Sequence, residues 1–246
     1  MMAVMGASVD SRLEQRARLH HALGDPLRLG IADELAVSDR SPGELATRFG
    51  VPGNLLAHHL SILEDVGLVR RFVSEGDRRR RYVRLRSDAL ALLSSSVSVR
   101  LSPRRVTFVC SRNSARSQLA AALWTSRTGG LASSAGTDPA EEVHPGAVAA
   151  AGRAGLDLGG ARPRLLTVEE RSGGDLIVTV CDRAHEELPR NPAWLHWSVP
   201  DPVSGPDAAF DEALRQLDRR IHVVAPTPTG HSSRDEPTDN DDRTIP

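Results

Sequence analysis

The stretch that most limits what this chain can become is residues 105–118, Arg-Val-Thr-Phe-Val-Cys-Ser-Arg-Asn-Ser-Ala-Arg-Ser-Gln. Residues 106–109 are a short apolar, β-branched run ending at Cys110, and beyond the loop residues 117–124 repeat apolar side chains with helical spacing. The pattern predicts strand, loop, helix. A loop entering a helix N-terminus turns several backbone N–H groups into one concavity, and the helix dipole adds positive potential, so a tetrahedral oxyanion fits there. Arg116 adds a planar fork suited to two oxygens. Cys110 lies in the same field, which favours thiolate over thiol. On this reading Ser111, Arg112, Asn113, Ser114, Ala115, Arg116 and Ser117 surround the anion.

The rest of this half agrees with that start. Residues 131–135 form a candidate second strand ending at Gly136, His144-Pro145-Gly146 opens a helix to about residue 154, and residues 175–180 are a β-branched strand ending at Cys181. Residues 210–221 make an amphipathic closing helix. Strands alternating with helices predict an α/β domain with a small parallel sheet and its site at the carboxyl ends of the strands. That geometry puts Cys181 at the same edge as Cys110.

Cys-x5-Arg followed by Ser resembles the signature of the low-molecular-weight protein tyrosine phosphatases and of the arsenate reductases built on that phosphatase fold. Asn113, Ser114, Ser117 and Gln118 match the reductase wording, Cys-x-x-Asn-Ser-x-Arg-Ser-Gln. The resemblance implies that Cys110 attacks arsenate and that Cys181, in its Val-Cys-Asp context, attacks Cys110 once arsenite is formed. It also implies that Asp201, in the Asp201-Pro202 pair, is the general acid, with Asp182 as the competitor. Thioredoxin-coupled members need a further cysteine where this chain has Leu188. The expected reductant is therefore one that reduces a Cys110–Cys181 disulfide directly, such as thioredoxin, or a small thiol, mycothiol or glutathione with glutaredoxin. An inert buried thiol is the other reading of Cys181. Val203 stands where the phosphatases carry an aromatic residue, which favours arsenate over phosphotyrosine. No bound cofactor and no metal is expected. A non-catalytic oxyanion sensor is the remaining alternative.

The first ninety residues carry a different pattern. Residues 13–23 and 27–35 predict two helices broken at Gly24-Asp25-Pro26, with Asp25 as N-cap and Pro26 at the first helical position. Ser41-Pro42 repeats the start signal, Glu44 completes a capping box, and Gly50 ends that helix. Another helix runs from Val51-Pro52 to about Val66, closed by Gly67. Two alternating strands, 68–73 and 80–85, flank Ser74-Glu75-Gly76-Asp77. This predicts an α+β winged helix-turn-helix. On the second helix Leu56, Leu60 and Leu63 face the core, leaving Asn54, Ala57, His58 and Ser61 to meet bases. Arg78, Arg79, Arg80 and Arg81 gather on the wing as a phosphate clamp. His58 and His59 point about 100° apart, which favours one core and one surface histidine over a metal pair.

Residues 55–69 together with 23–28 resemble the ArsR-type bacterial repressors, over 13–86 of this chain. The resemblance implies a double-stranded DNA operator and a homodimer formed through this domain. The stretch 33–40, where relatives sense arsenite, has no cysteine, so the inducer does not carry over.

Composition sets the remaining bounds. The chain has 246 residues, enough for two small domains, and two cysteines, too few for a disulfide framework. It contains no lysine, so every strongly basic contact is made by guanidinium. The start lacks a basic and long apolar leader, and no apolar run suits a membrane, so a cytoplasmic protein is expected. The expected organisation is a winged helix-turn-helix at 11–93, a serine-rich linker at 94–103, the phosphatase-like domain at 104–225 and a disordered acidic tail at 226–246.

Overall fold

The structure is a computed structural model that describes residues 3–86, 89, 103, 105–173 and 175–225. The linker 94–102 and the tail 226–246 lie outside the described residues, as does all but Ala89 of the helix expected at 88–93.

The N-terminal unit is α1 (Ala3–Leu23), α2 (Pro26–Val37), α3 (Pro42–Phe49), α4 (Gly53–Asp65) and a hairpin of β1 (Val69–Val73) and β2 (Arg81–Leu85). Each boundary has a local cause. The Asp25 carboxylate accepts from Arg28 N at 3.0 Å ahead of Pro26. Ser41 and Glu44 close a reciprocal capping box over α3. Gly50 ends α3 with φ 63°, a left-handed conformation that glycine adopts without a Cβ clash. Leu56, Leu60 and Leu63 of α4 are buried with Leu19, Ile31, Leu35 and Leu45 in one core. Each fully buried leucine contributes about 1.5–3 kcal/mol relative to exposure. Helix α1 begins ten residues before the expected start at residue 13.

The C-terminal unit is a four-stranded sheet in the order β4-β3-β5-β6, parallel throughout. Its strands are β3 (Arg105–Cys110), β4 (Leu131–Gly136), β5 (Leu176–Thr179) and β6 (Leu195–His196). Helices α5 (Arg116–Thr128), α6 (Pro145–Arg153), α7 (Val168–Ser172), α8 (Asp182–Glu187) and α9 (Ala208–Val224) connect and cover it. Phe210, Ala213, Leu214, Leu217, Ile221 and Val224 form the buried stripe of α9. Strands β3 and β5 are neighbours; β3 ends at Cys110 and β5 ends two residues before Cys181, so both sulfurs fall at the carboxyl edge of the sheet.

The two units share a polar, buried interface. Strand β2 is buried on successive residues, Tyr82 and Val83, because Val83 enters the helical core while Tyr82 lies 4.8 Å from the His196 ring. Trp197 Nε1 donates to Val37 O at 2.8 Å, and His196 N donates to Ser38 Oγ at 2.8 Å. At the centre is Asp39, fully buried, whose carboxylate accepts from Arg84, from Arg220 at 2.5 Å and from Ser198 N at 2.8 Å. Burial works to raise the Asp39 pKa, but Arg220 and Arg84 overcome it and hold the carboxyl well below the usual range.

Candidate active site

Strand β3 delivers Cys110 into a loop of residues 111–115 that runs directly into α5. The loop carbonyls are tied outward: Thr137, Asp138, Ala140 and His144 donate backbone N–H groups to the carbonyls of Cys110, Ser111, Arg112 and Ser114. With its acceptors used there, the loop has N–H groups to offer the concave side. Gly136, the residue paired with Cys110, permits this close pass, because a Cβ there would lie 2.6 Å from Ser111 O.

Asn113 holds the loop's bend. It takes φ 48°, the one positive-φ non-glycine among the described residues, and is fully buried. Its Oδ1 accepts from Arg164 N at 2.9 Å, its Nδ2 donates to Ser117 Oγ at 2.8 Å, and its carbonyl accepts from Gln118 Nε2 at 3.0 Å. Ser117 Oγ, which accepts from Asn113, also lies 3.0 Å from Cys110 Sγ, close enough to donate to a thiolate there. Asn113 N donates to the same sulfur at 3.2 Å.

A cavity of about 390 Å³ opens over this loop, lined by Ser111, Arg112, Arg116, Cys181, Asp182, Arg183, Asp201 and Ser204, together with Glu75 and Gly76. Arg116 is nearly buried and donates to Val199 O at 3.0 Å and to Asp201 Oδ2 at 2.9 Å. Burial acts to lower its pKa, yet the two sulfurs, Asp201 and Glu75 raise it, so the guanidinium stays charged. Cys181 caps α8, its sulfur accepting from Ser111 N at 3.3 Å and Ala184 N at 3.4 Å. Burial pushes the Cys181 thiol up and the nearby Cys110 sulfur adds to this, against the pull of Arg116. Cys110 and Cys181 are both free and buried.

Each residue expected from the sequence has a place. Cys181, Arg116 and Asp201 line the cavity, whereas Cys110 is buried beside it and is not part of the cavity wall. Ser111 and Arg112 reach the cavity wall, whereas Asn113, Ala115 and Ser117 are buried within the loop and Ser114 is half-buried. Asp182 lines the cavity too, but it also lies 3.2 Å from the buried His196 ring and accepts Glu75 N at 2.8 Å. Burial acts to raise its pKa, and the His196 and Ser198 contacts bring it below the ordinary value. In the other unit Asn54, Ala57, His58 and Ser61 are exposed on one face of α4, and Arg78, Arg79, Arg80 and Arg81 are exposed at the wing. His58 is exposed and His59 half-buried, as their spacing required. Among the described residues no three metal-ligating side chains cluster, and no helix is long and apolar enough to cross a membrane. Glu75, Gly76, Arg183 and Ser204 were not expected at the site. Glu75 and Gly76 come from the wing, and no local pattern announces a contact made across the domain interface.

A strand-loop-helix cradle with a paired thiol and guanidinium, on a parallel sheet behind a helix-turn-helix, defines a two-part protein with a phosphatase-type half. Residues 105–227 match the model of the low molecular weight phosphotyrosine protein phosphatases, and 23–71 match a helix-turn-helix domain. The chain belongs to the low molecular weight phosphotyrosine protein phosphatase family. It is 32% identical over 130 residues to an arsenate reductase of Brevibacillus brevis, covering 50% of this chain and 96% of that protein. An arsenate reductase of Bacillus licheniformis is 31% identical over 139 residues, covering 52% of this chain and 99% of its own length. Among solved structures, an arsenate reductase from Archaeoglobus fulgidus is 29% identical, with 47% and 94% of the two chains covered and a TM-score of 0.41.

Proposed function

We propose that the chain is a fused DNA-binding regulator and thiol-dependent arsenate reductase, organised as a winged helix-turn-helix at 11–93 and a reductase at 104–225. The observation that carries the reading is the second sulfur: Cys181 shares the cavity wall with Arg116 and takes a hydrogen bond from Ser111, the residue after Cys110. Phosphate ester hydrolysis needs one nucleophilic sulfur, whereas reduction needs two electrons from thiols.

In the proposed reaction arsenate binds over the loop amides of residues 111–117 and takes the Arg116 fork, displacing Asp201 from it. The Cys110 thiolate forms a bond to arsenic, and one arsenate oxygen leaves as water with a proton from Asp201. The Cys181 thiolate then attacks the Cys110 sulfur. A disulfide forms, the sulfur–arsenic electron pair stays on arsenic, and As(V) leaves as As(III) arsenite. A cellular thiol, mycothiol, glutathione with glutaredoxin, or thioredoxin, returns the disulfide to two thiols. Without Cys181, a small thiol attacking the Cys110 sulfur of the adduct releases arsenite and leaves a mixed disulfide on Cys110, and a second thiol returns Cys110 to the free thiol. The reaction needs no metal or bound cofactor, and the protein works in the cytoplasm.

For the other half, the exposed face of α4 suits a major groove, the wing arginines suit the phosphates, and a homodimer would read two half-sites of a double-stranded operator.

The test is single-turnover arsenate reduction with the purified full chain and each thiol donor in parallel. Cys110→Ser abolishes arsenite formation and leaves DNA binding intact. Arsenite formed by that variant at the wild-type rate overturns the reading. Cys181→Ser loses turnover if the disulfide route operates, and keeps it with the small thiol if the adduct is resolved from outside.

A further inference from the structure

Between Trp197 and Val203 the chain crosses the mouth of the cavity, carrying Asp201 on a segment with little regular structure. Three side chains of the helix-turn-helix unit hold this segment. At its start, Ser198 N donates to Asp39 Oδ2 at 2.8 Å, and Ser198 O accepts from Arg84. At its end, Asp201 N donates to Glu75 Oε2 at 3.0 Å. Pro200, between them, has no N–H to contribute.

Glu75 is itself fixed. Its own N–H donates to Asp182 Oδ2 at 2.8 Å, and Ser74 Oγ donates to Glu186 Oε1 at 2.6 Å. The wing turn rests so closely on α8 that a Cβ at Gly76 would lie 3.0 Å from Arg183 N and 3.1 Å from its Cα. The turn that an isolated winged helix would present to solvent is therefore seated on the first turn of an enzyme helix, with a carboxylate aimed at the Asp201 backbone.

We infer that Glu75 is a positioning residue for the Asp201 loop, lent to the reductase pocket by the wing. The inference rests on the reading of Asp201 as proton donor. Glu75 has two separable effects. Its oxygen holds the Asp201 amide, and so sets where that carboxyl sits once the anion has taken Arg116. Its negative charge lies beside the same Arg116 that the incoming anion must engage, and like charge there opposes binding.

Steady-state arsenate reduction by the full chain separates them. Glu75→Ala removes oxygen and charge, and lowers kcat about tenfold through a loosened acid loop. Glu75→Gln keeps an acceptor oxygen and loses the charge, so kcat recovers most of that loss while KM for arsenate falls severalfold. Glu75→Ala combined with Asp201→Asn is less than additive, because a mispositioned acid has less to lose. The inference is overturned if Glu75→Ala matches wild type in kcat and KM, if Glu75→Gln fails to recover kcat, or if the double variant is additive. Cys110→Ser and Asp201→Asn keep the two levels apart. An inactive Cys110→Ser and a slow Asp201→Asn beside a normal Glu75→Ala refute only the role of Glu75, whereas an active Cys110→Ser refutes the reductase reading itself.

Discussion

Asp39 is the residue on which the two halves turn. Its carboxylate is enclosed by Arg84 of its own unit and by Arg220 and the Ser198 amide of the other, so its charge is fully compensated only within the assembled interface. Asp39→Asn leaves two largely buried guanidinium groups without their anion, and losing one partner of such a group typically costs about 3–5 kcal/mol. The thermal midpoint of the variant therefore falls steeply, measured by calorimetry at neutral pH. The pH dependence has a definite sign. The Asp39 pKa is depressed in the fold, so its contribution is complete above the unfolded value of about 3.9 and is lost as pH falls through the lower folded value. His196 adds to acid sensitivity, because burial lowers its pKa and stability declines as pH drops below the unfolded value of about 6.5. Urea titrations from pH 7 to pH 3 should show the variant's stability changing less below pH 4 than that of wild type.

At the scale of elements, the loop before α5 and the wing make opposite use of the backbone. The loop ties its carbonyls to neighbouring amides and turns two of its own N–H groups onto sulfur, whereas the wing extends exposed arginines from a tight turn. Arg79→Ala, on the exposed side of the turn, lowers duplex affinity about equally for all sequences and reduces the slope of log affinity against log salt by about 1. An unchanged slope would remove the wing from the DNA contact.

Much of this was readable beforehand. The β-branched run into Cys110, the Asp25 and Ser41 caps, the Gly50 stop and the Leu56-Leu60-Leu63 stripe are local signals, and each element formed where its signal stood. Short elements escaped notice. Helix α8 follows a cysteine cap instead of a Ser, Thr, Asp or Asn, and β6 is two residues long. The interface was invisible for a different reason. Ser38-Asp39-Arg40 reads as an ordinary polar turn, and only the partners from residues 194–220 make it a buried junction. The alternation over residues 80–85 predicts one covered face of β2, whereas Tyr82 and Val83 are both buried because the second unit covers the other.

For the whole molecule, the wing carries the proposed phosphate-clamping arginines and also lines the proposed oxyanion pocket, so it offers a route between the two ligands. Whatever phosphate or arsenate does to DNA affinity, DNA must do to anion affinity by the same factor. Saturating phosphate, an anion that cannot be reduced, should shift the binding of a labelled duplex taken from upstream of the gene at constant ionic strength, measured by fluorescence anisotropy. Superimposable curves with and without phosphate would show that the halves act independently.

The Asp39 knot also bears on how such a protein can be taken apart. Cutting the gene after the wing would yield a fragment with a complete sheet and both cysteines, about the length of its free-standing relatives. That fragment would nonetheless carry Arg220 stripped of its counter-ion, the Trp197 indole N–H without its acceptor, and an Asp201 segment that keeps Arg116 but loses Asp39, Arg84 and Glu75. Freed of the first half, the second would need new partners for each of these groups to keep the same shape.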